Sequence, residues 1–292
     1  MMISAAAVKK LRERTGVGMM ECKKALLEVG GDMELAIENL RKSGKAKADK
    51  KSNRVAADGR IVISSNKKYT VIIEVNSETD FVAKDENFIQ FSKSVADAIL
   101  ISKVEQVQDL NLVLLDNGKT IEEARVELVS KVGENIFVRR YKKISNSQNM
   151  GIYIHGTRIG AIVVASGDDS SLSHDIAMHI AASNPICIQQ SDVPTNILER
   201  EQRIIIKQSE RSGKSPEIVK KMVQGRITKF LNEITLMGQP FVKDPVISVG
   251  EILKNANVIV SKFFRYEVGE GIEKKENDFV KEVINQITEN KK

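Results

Sequence analysis

The side chains best suited to chemistry are few, and their spacing argues against a catalytic centre. The chain has three histidines, His155, His174 and His179. On a helix the last two, five residues apart, point about 140° from each other and do not readily share a metal ion. Ser173-His174-Asp175 has the residue types of a hydrolytic triad. Triad members converge through the fold, however, whereas sequence neighbours point apart. Structural roles are therefore expected for His174 and His179. Gly16-Val17-Gly18 lies between helical patterns, and Gly269-Glu270-Gly271 lacks the Lys-Ser/Thr step of a phosphate loop, so both read as turns. Cys22 and Cys187 are far apart without a partner motif, as suits thiols packed in a reducing cytosol. No paired carboxylates stand out. The expectation is function by contact with another macromolecule, with no catalytic residue, metal, cofactor or directly bound nucleotide.

Apolar residues in unusual places carry more information. Met20 falls off the stripe Cys22, Ala25, Leu26 and Val29, and shares a face with Lys23, Lys24 and Leu27. It either completes a small core or gives an adaptable protein-binding surface beside lysines. The stretch from Asn76 to Asp85 is made of turn formers, yet Phe81 and Val82 sit at its tip. Phe81 either staples the following helix near Phe88 or is presented as a wedge. The pattern leaves both pairs of readings open.

These residues need elements to position them. The 292 residues, 41% hydrophobic and 29% charged, allow two or three globular domains. No apolar run reaches the roughly 18 to 20 residues of a membrane span, and the N-terminus lacks the apolar stretch of a signal peptide, so a cytoplasmic location is expected. Net charge is +6, but basic residues cluster only in Arg41–Arg54, without interleaved aromatics. A solvated linker is therefore favoured over direct nucleic-acid binding.

Ser4 can cap a helix carrying Val8 and Leu11, Gly30-Gly31 ends a second helix, and Asp32 caps a third with Met33, Ala36, Ile37 and Leu40. Gly44 is expected to stop that helix, with residues 45–58 as a linker. Residues 60–64 and 69–75 form a hairpin, residues 77–84 a loop, then come a helix bearing Phe88, Phe91, Val95 and Ile99 and a strand at 135–141. The same order returns as a hairpin at 151–155 and 159–164, a helix at 174–182 and a strand at 261–268. The pattern predicts an α+β fold with a duplicated core. Residues 197–211 and 216–231, joined by Ser212–Ser215, read as an inserted antiparallel helical hairpin. Residues 273–292 read as a terminal helix with Phe279, Val280, Val283 and Ile287. Domain boundaries follow at 1–54, 55–147, 148–193 with 237–268, 194–236 as the insert, and 269–292.

Thr79-Asp80-Phe81-Val82-Ala83-Lys84 and the run Arg12 to Leu26 closely resemble the bacterial elongation factor Ts family. So do His155–Gly160, His174–Ala182, Gly238–Val242 and Val268–Glu273, in the family's order and spanning nearly the whole chain. The resemblance implies a guanine-nucleotide exchange factor for elongation factor Tu, the GTPase that delivers aminoacyl-tRNA. It also implies a ubiquitin-associated-like N-terminal domain, the duplicated core, a coiled-coil hairpin insert and a C-terminal module. The stretch Thr79, Asp80, Phe81 and Val82 would enter the GTPase near its Mg²⁺ site, with Phe81 as a wedge between helices. Arg12, Met19, Met20, Lys23, Val132, Gly133, His155 and Val242 match further partner-contact positions. Dimerisation through the coiled coil, giving a dimer of heterodimers, is also compatible with the family. This chain departs from the family in a longer segment near residues 102–120 and in Lys243, where an apolar residue is common.

Overall fold

Local caps define the first helices of the computed structural model, which describes residues 3–146, 149–167, 169–210 and 215–273. The Ser4 hydroxyl accepts from Ala7 N–H to open α1 (Ala5–Thr15), and Gly16 closes it in the left-handed region. α2 spans Met19–Glu28, and α3 begins at Met33 under an Asp32 cap. Val8, Leu11, Val17, Cys22, Ala25, Leu26 and Ala36 make their shared core, with Val29, Met33, Ile37 and Leu40 packed on it.

Two expectations fail here. α3 does not stop at Gly44 but runs to Lys51, so the first half of the expected linker is helix. Gly44 and Ala48 are buried, and a Cβ on Gly44 would lie 3.0 Å from Ser130 Oγ and 3.7 Å from Val126 Cγ1. Gly44 thus permits close approach of a second helix, and that contact outweighs glycine's weak helix propensity of about 1 kcal/mol. The basic stretch lies largely on this helix, with Lys47 paired to Glu21 and Lys51 donating to the Gly133 carbonyl.

After α3 come β1 (Asp58–Ser65), β2 (Tyr69–Ser77), α4 (Asp80–Ala83) and α5 (Glu86–Ile101). A 3₁₀ turn at Val107–Leu112 precedes α6 (Ile121–Val132), which is the helix packed on Gly44. Its reciprocal Thr120–Glu123 capping box lies in a stretch that the sequence pattern left unread. β3 (Phe137–Ser145), β4 (Asn149–His155), β5 (Ile159–Ala165) and α7 (Ser170–Ser183) follow. α8 (Thr195–Glu210), α9 (Pro216–Ile234), β6 (Pro240–Phe241), β7 (Asp244–Ser248), α10 (Val249–Asn255) and β8 (Val260–Glu267) complete the described chain. The sheets are β1-β2-β3, β4-β5-β8 and β6-β7. In the second, Gly151 faces Val163 and Val163 faces Phe263 across antiparallel pairs.

The chain divides into two compact units, residues 1–60, 73–141 and 268 onward in the first, and 61–72 with 142–267 in the second. In the second, α7 covers the β4-β5 face, burying Ala161, Val163, Ile176 and Ile180 with Leu236, Phe241 and Leu253. The 77–84 segment is not a plain loop, because it contains the helical turn α4, and α7 begins four residues before its expected start. The expected terminal helix with Phe279, Val280, Val283 and Ile287 lies outside the described residues, as does most of the 212–215 connection. Among the described residues no helix is long and apolar enough to cross a membrane.

Candidate partner-binding surface

Phe81 is held out of the protein by groups behind it. Thr79 caps α4, its hydroxyl oxygen accepting from Val82 N–H at 3.4 Å. The Thr79 hydroxyl donates to Glu134 Oε1 at 2.6 Å, and its backbone N–H donates to Glu134 Oε2 at 3.0 Å. Charge-assisted bonds of this kind are the stronger ones. Next to Thr79, the Glu78 carboxylate accepts from Asn135 N–H at 2.7 Å, and Asn135 donates its side-chain amide to the carbonyls of Ser52 and Arg54. Asp85 closes the segment by capping α5 through Asn87 N–H.

The outcome for the tip is unambiguous. Val82 turns inward, 9% exposed, whereas Phe81 is 81% exposed. The staple reading of Phe81 is excluded, and the ring is presented to solvent. Asp80 does not cap the turn, since Thr79 does; it pairs with Lys84 at 2.7 Å. That bond, together with backbone donors, holds the Asp80 carboxyl below its ordinary range.

The remaining first-unit candidates are tied to this segment through α6. A Cβ on Gly16 would lie 3.3 Å from the Lys131 side chain, and Lys131 Nζ donates to Asn87 Oδ1 at 2.6 Å. The turn between α1 and α2 therefore meets the end of α6, whose Lys131 reaches the start of α5. Met20 is 75% exposed at the start of α2, with Met19, Arg12 and Lys23 also exposed, so the small-core reading of Met20 fails. Val132 ends α6, and Gly133 follows with a left-handed φ of 83°. Glu134, the residue after it, anchors Thr79 and is not marked by the sequence pattern. It lies 55 residues from Thr79.

The second unit holds the other two candidates. Tyr153 Oη and His155 Nδ1 are 3.1 Å apart, and Tyr153 packs edge-on to His174. His174 Nδ1 donates to the Ile152 carbonyl at 2.7 Å. Val242 and Lys243 form the turn between β6 and β7, and Lys243 Nζ pairs with Asp175 on α7 at 2.6 Å. The cation thus fills an ion pair beside Val242, which itself stays 42% exposed. His179, one turn along α7 from Asp175, is buried and hydrogen-bonded at both ring nitrogens. These bonds give His174 and His179 the structural roles their spacing suggests. Among the described residues no group of His, Cys, Asp and Glu stands close enough to hold a metal ion.

A family model described as elongation factor TS matches residues 78–270. The elongation factor Ts of Legionella pneumophila (strain Philadelphia 1) is 53% identical over 287 residues, covering 98% of both chains. Those of Thioalkalivibrio sulfidiphilus and Methylococcus capsulatus are 52% and 51% identical over 290 residues, covering 98% of this chain and 99% of theirs.

Proposed function

This chain belongs to the elongation factor Ts family of translation factors, the nucleotide exchange factors for elongation factor Tu, and on that premise we propose that it releases GDP from elongation factor Tu by wedging Phe81 beside the GTPase's Mg²⁺ and phosphate site. The observation that carries this reading is the Phe81 ring, 81% exposed on a helical turn anchored by Glu134. An exposed aromatic on an ordered support loses little conformational freedom on binding, so more of its burial energy is available to displace the nucleotide.

Binding and release are reciprocal: whatever weakens GDP is weakened by GDP. Shifting the nucleotide by ~10⁴-fold needs about 5.5 kcal/mol of differential binding. One buried Phe supplies about 1.5 to 3 kcal/mol. The rest must come from Arg12, Met19, Met20, Lys23, Val132 and Gly133 in the first unit, and from His155 and Val242 in the second. In this reading α1 to α3 act as a ubiquitin-associated-like module, the β1-β2-β3 and β4-β5-β8 sheets as a duplicated core, α8 and α9 as the coiled-coil insert, and residues 269–292 as a C-terminal module.

Release of a fluorescent GDP analogue from elongation factor Tu, at saturating exchange factor, tests the metal part of the proposal. With Mg²⁺ present, Phe81→Ala is expected to slow release roughly 10- to 150-fold, the equivalent of the ring's burial energy. In excess EDTA the variant should match the unsubstituted chain, because no metal remains to be displaced. An equal lag with and without Mg²⁺ would overturn metal displacement as the role of Phe81.

A further inference from the structure

Val242 is exposed, but the group that fixes its backbone is inside the second unit. His179 is 0% exposed on α7, with Nδ1 3.2 Å from Val242 N and Nε2 2.9 Å from Gln239 Oε1. A backbone N–H only donates, so Nδ1 must be the bare nitrogen of the ring. The proton then sits on Nε2 and is donated to Gln239. Gln239 cannot turn over to offer its nitrogen instead, because that nitrogen already donates to the Glu233 carbonyl at 2.7 Å and the Ser183 carbonyl at 3.3 Å. The Phe241 ring lies 5.9 Å from the imidazole and closes that side. Asp175, one turn before His179 on α7, is paired with Lys243 at 2.6 Å. One neutral tautomer alone meets both bonds, and burial, which lowers the imidazole pKa, favours the neutral ring.

We propose that His179 is a positioning residue for the Val242 contact, its bare Nδ1 holding the Val242 N–H so that the β6–β7 turn presents the valine side chain to elongation factor Tu. Gln239 acts one step further back by selecting the tautomer. This inference rests on the reading that Val242 touches elongation factor Tu. His179 is buried behind the turn, so its effect on exchange appears only through Val242.

Two amide substitutions separate positioning from packing. His179→Asn places an acceptor oxygen close to where Nδ1 lies, whereas His179→Gln reaches the Nε2 position and leaves Val242 N–H without an acceptor. The reading is the concentration of each variant giving half-maximal GDP release, alongside its thermal midpoint, with Val242→Ala as reference. Val242→Ala should raise that concentration roughly tenfold, from loss of about 1.5 kcal/mol of burial. His179→Gln should match it, in half-maximal concentration and in maximal rate alike, and His179→Asn should stay within about threefold of the unsubstituted chain. Equal half-maximal concentrations for the two histidine variants would overturn the positioning role while leaving the Val242 contact standing. An unchanged value for Val242→Ala would instead remove the contact, and the positioning role with it. Ring ¹⁵N shifts of the unsubstituted chain need no variant to fold: a bare Nδ1 at neutral pH is expected, and a protonated Nδ1 would overturn the proposal.

Discussion

Replacing Glu134 by alanine removes the carboxylate that receives both donors of Thr79, at 2.6 and 3.0 Å. Hydrogen bonds to a charged acceptor contribute about 1.5 to 3 kcal/mol each. Both are partly buried, and the freed Thr79 donors regain water, so about 1 to 3 kcal/mol for the pair is the working figure. The loss falls on the order of the α4 turn, while the Phe81 ring itself remains. On the proposed wedge role of Phe81, re-forming the turn on binding should lower the maximal stimulated rate of GDP release roughly 5- to 150-fold. Stopped-flow release of a fluorescent GDP analogue, with Phe81→Ala, Glu134→Ala and the double variant, completes a thermodynamic cycle. If Glu134 works through Phe81, the double variant releases GDP no more slowly than Phe81→Ala alone. Independent, additive losses would refute that argument.

Gly44→Leu places a side chain where a Cβ already lies 3.0 Å from Ser130 Oγ. Overpacking of the α3–α6 contact should destabilise the chain by about 1 to 3 kcal/mol, read as a lower thermal midpoint. The buried His179 ring titrates below its ordinary 6.5 because burial disfavours the cation, and the Gln239 bond offsets only part of that shift. As pH falls, the unfolded chain takes up this proton before the folded one does. The stability contribution is therefore complete above about pH 6.5 and is lost as pH drops through the lower folded value. His179→Gln should flatten the fall in thermal midpoint between pH 7.5 and 5.5; an identical fall in both proteins would contradict it.

Much of the first unit was legible because its signals are local. Ser4, Asp32 and Asp85 cap helices as their types suggest, and Phe88, Phe91, Val95 and Ile99 are buried on the face their spacing indicates. Gly44 was misread for a physical reason: a stop signal and a close-approach site use the same residue, and Ser130 lies 86 positions away. α6 was missed because it buries only Ile121, Leu128 and Val129 among charged neighbours, which blurs its stripe. α10 carries a local sign in its sequence, the Ser248–Glu251 capping box. At the tip, sequence spacing could not decide whether Phe81 staples the following helix or stands out as a wedge. The turn that exposes Phe81 and buries Val82 is held by Glu134, a long-range partner of Thr79.

The most direct test of the central claim is GDP release from elongation factor Tu with this chain present at well below one copy per GTPase. The account predicts that each copy of the chain serves many molecules of elongation factor Tu, so that substoichiometric protein strongly accelerates complete release. A stable complex with an unchanged release rate would contradict it and leave a binding scaffold in place of an exchange factor.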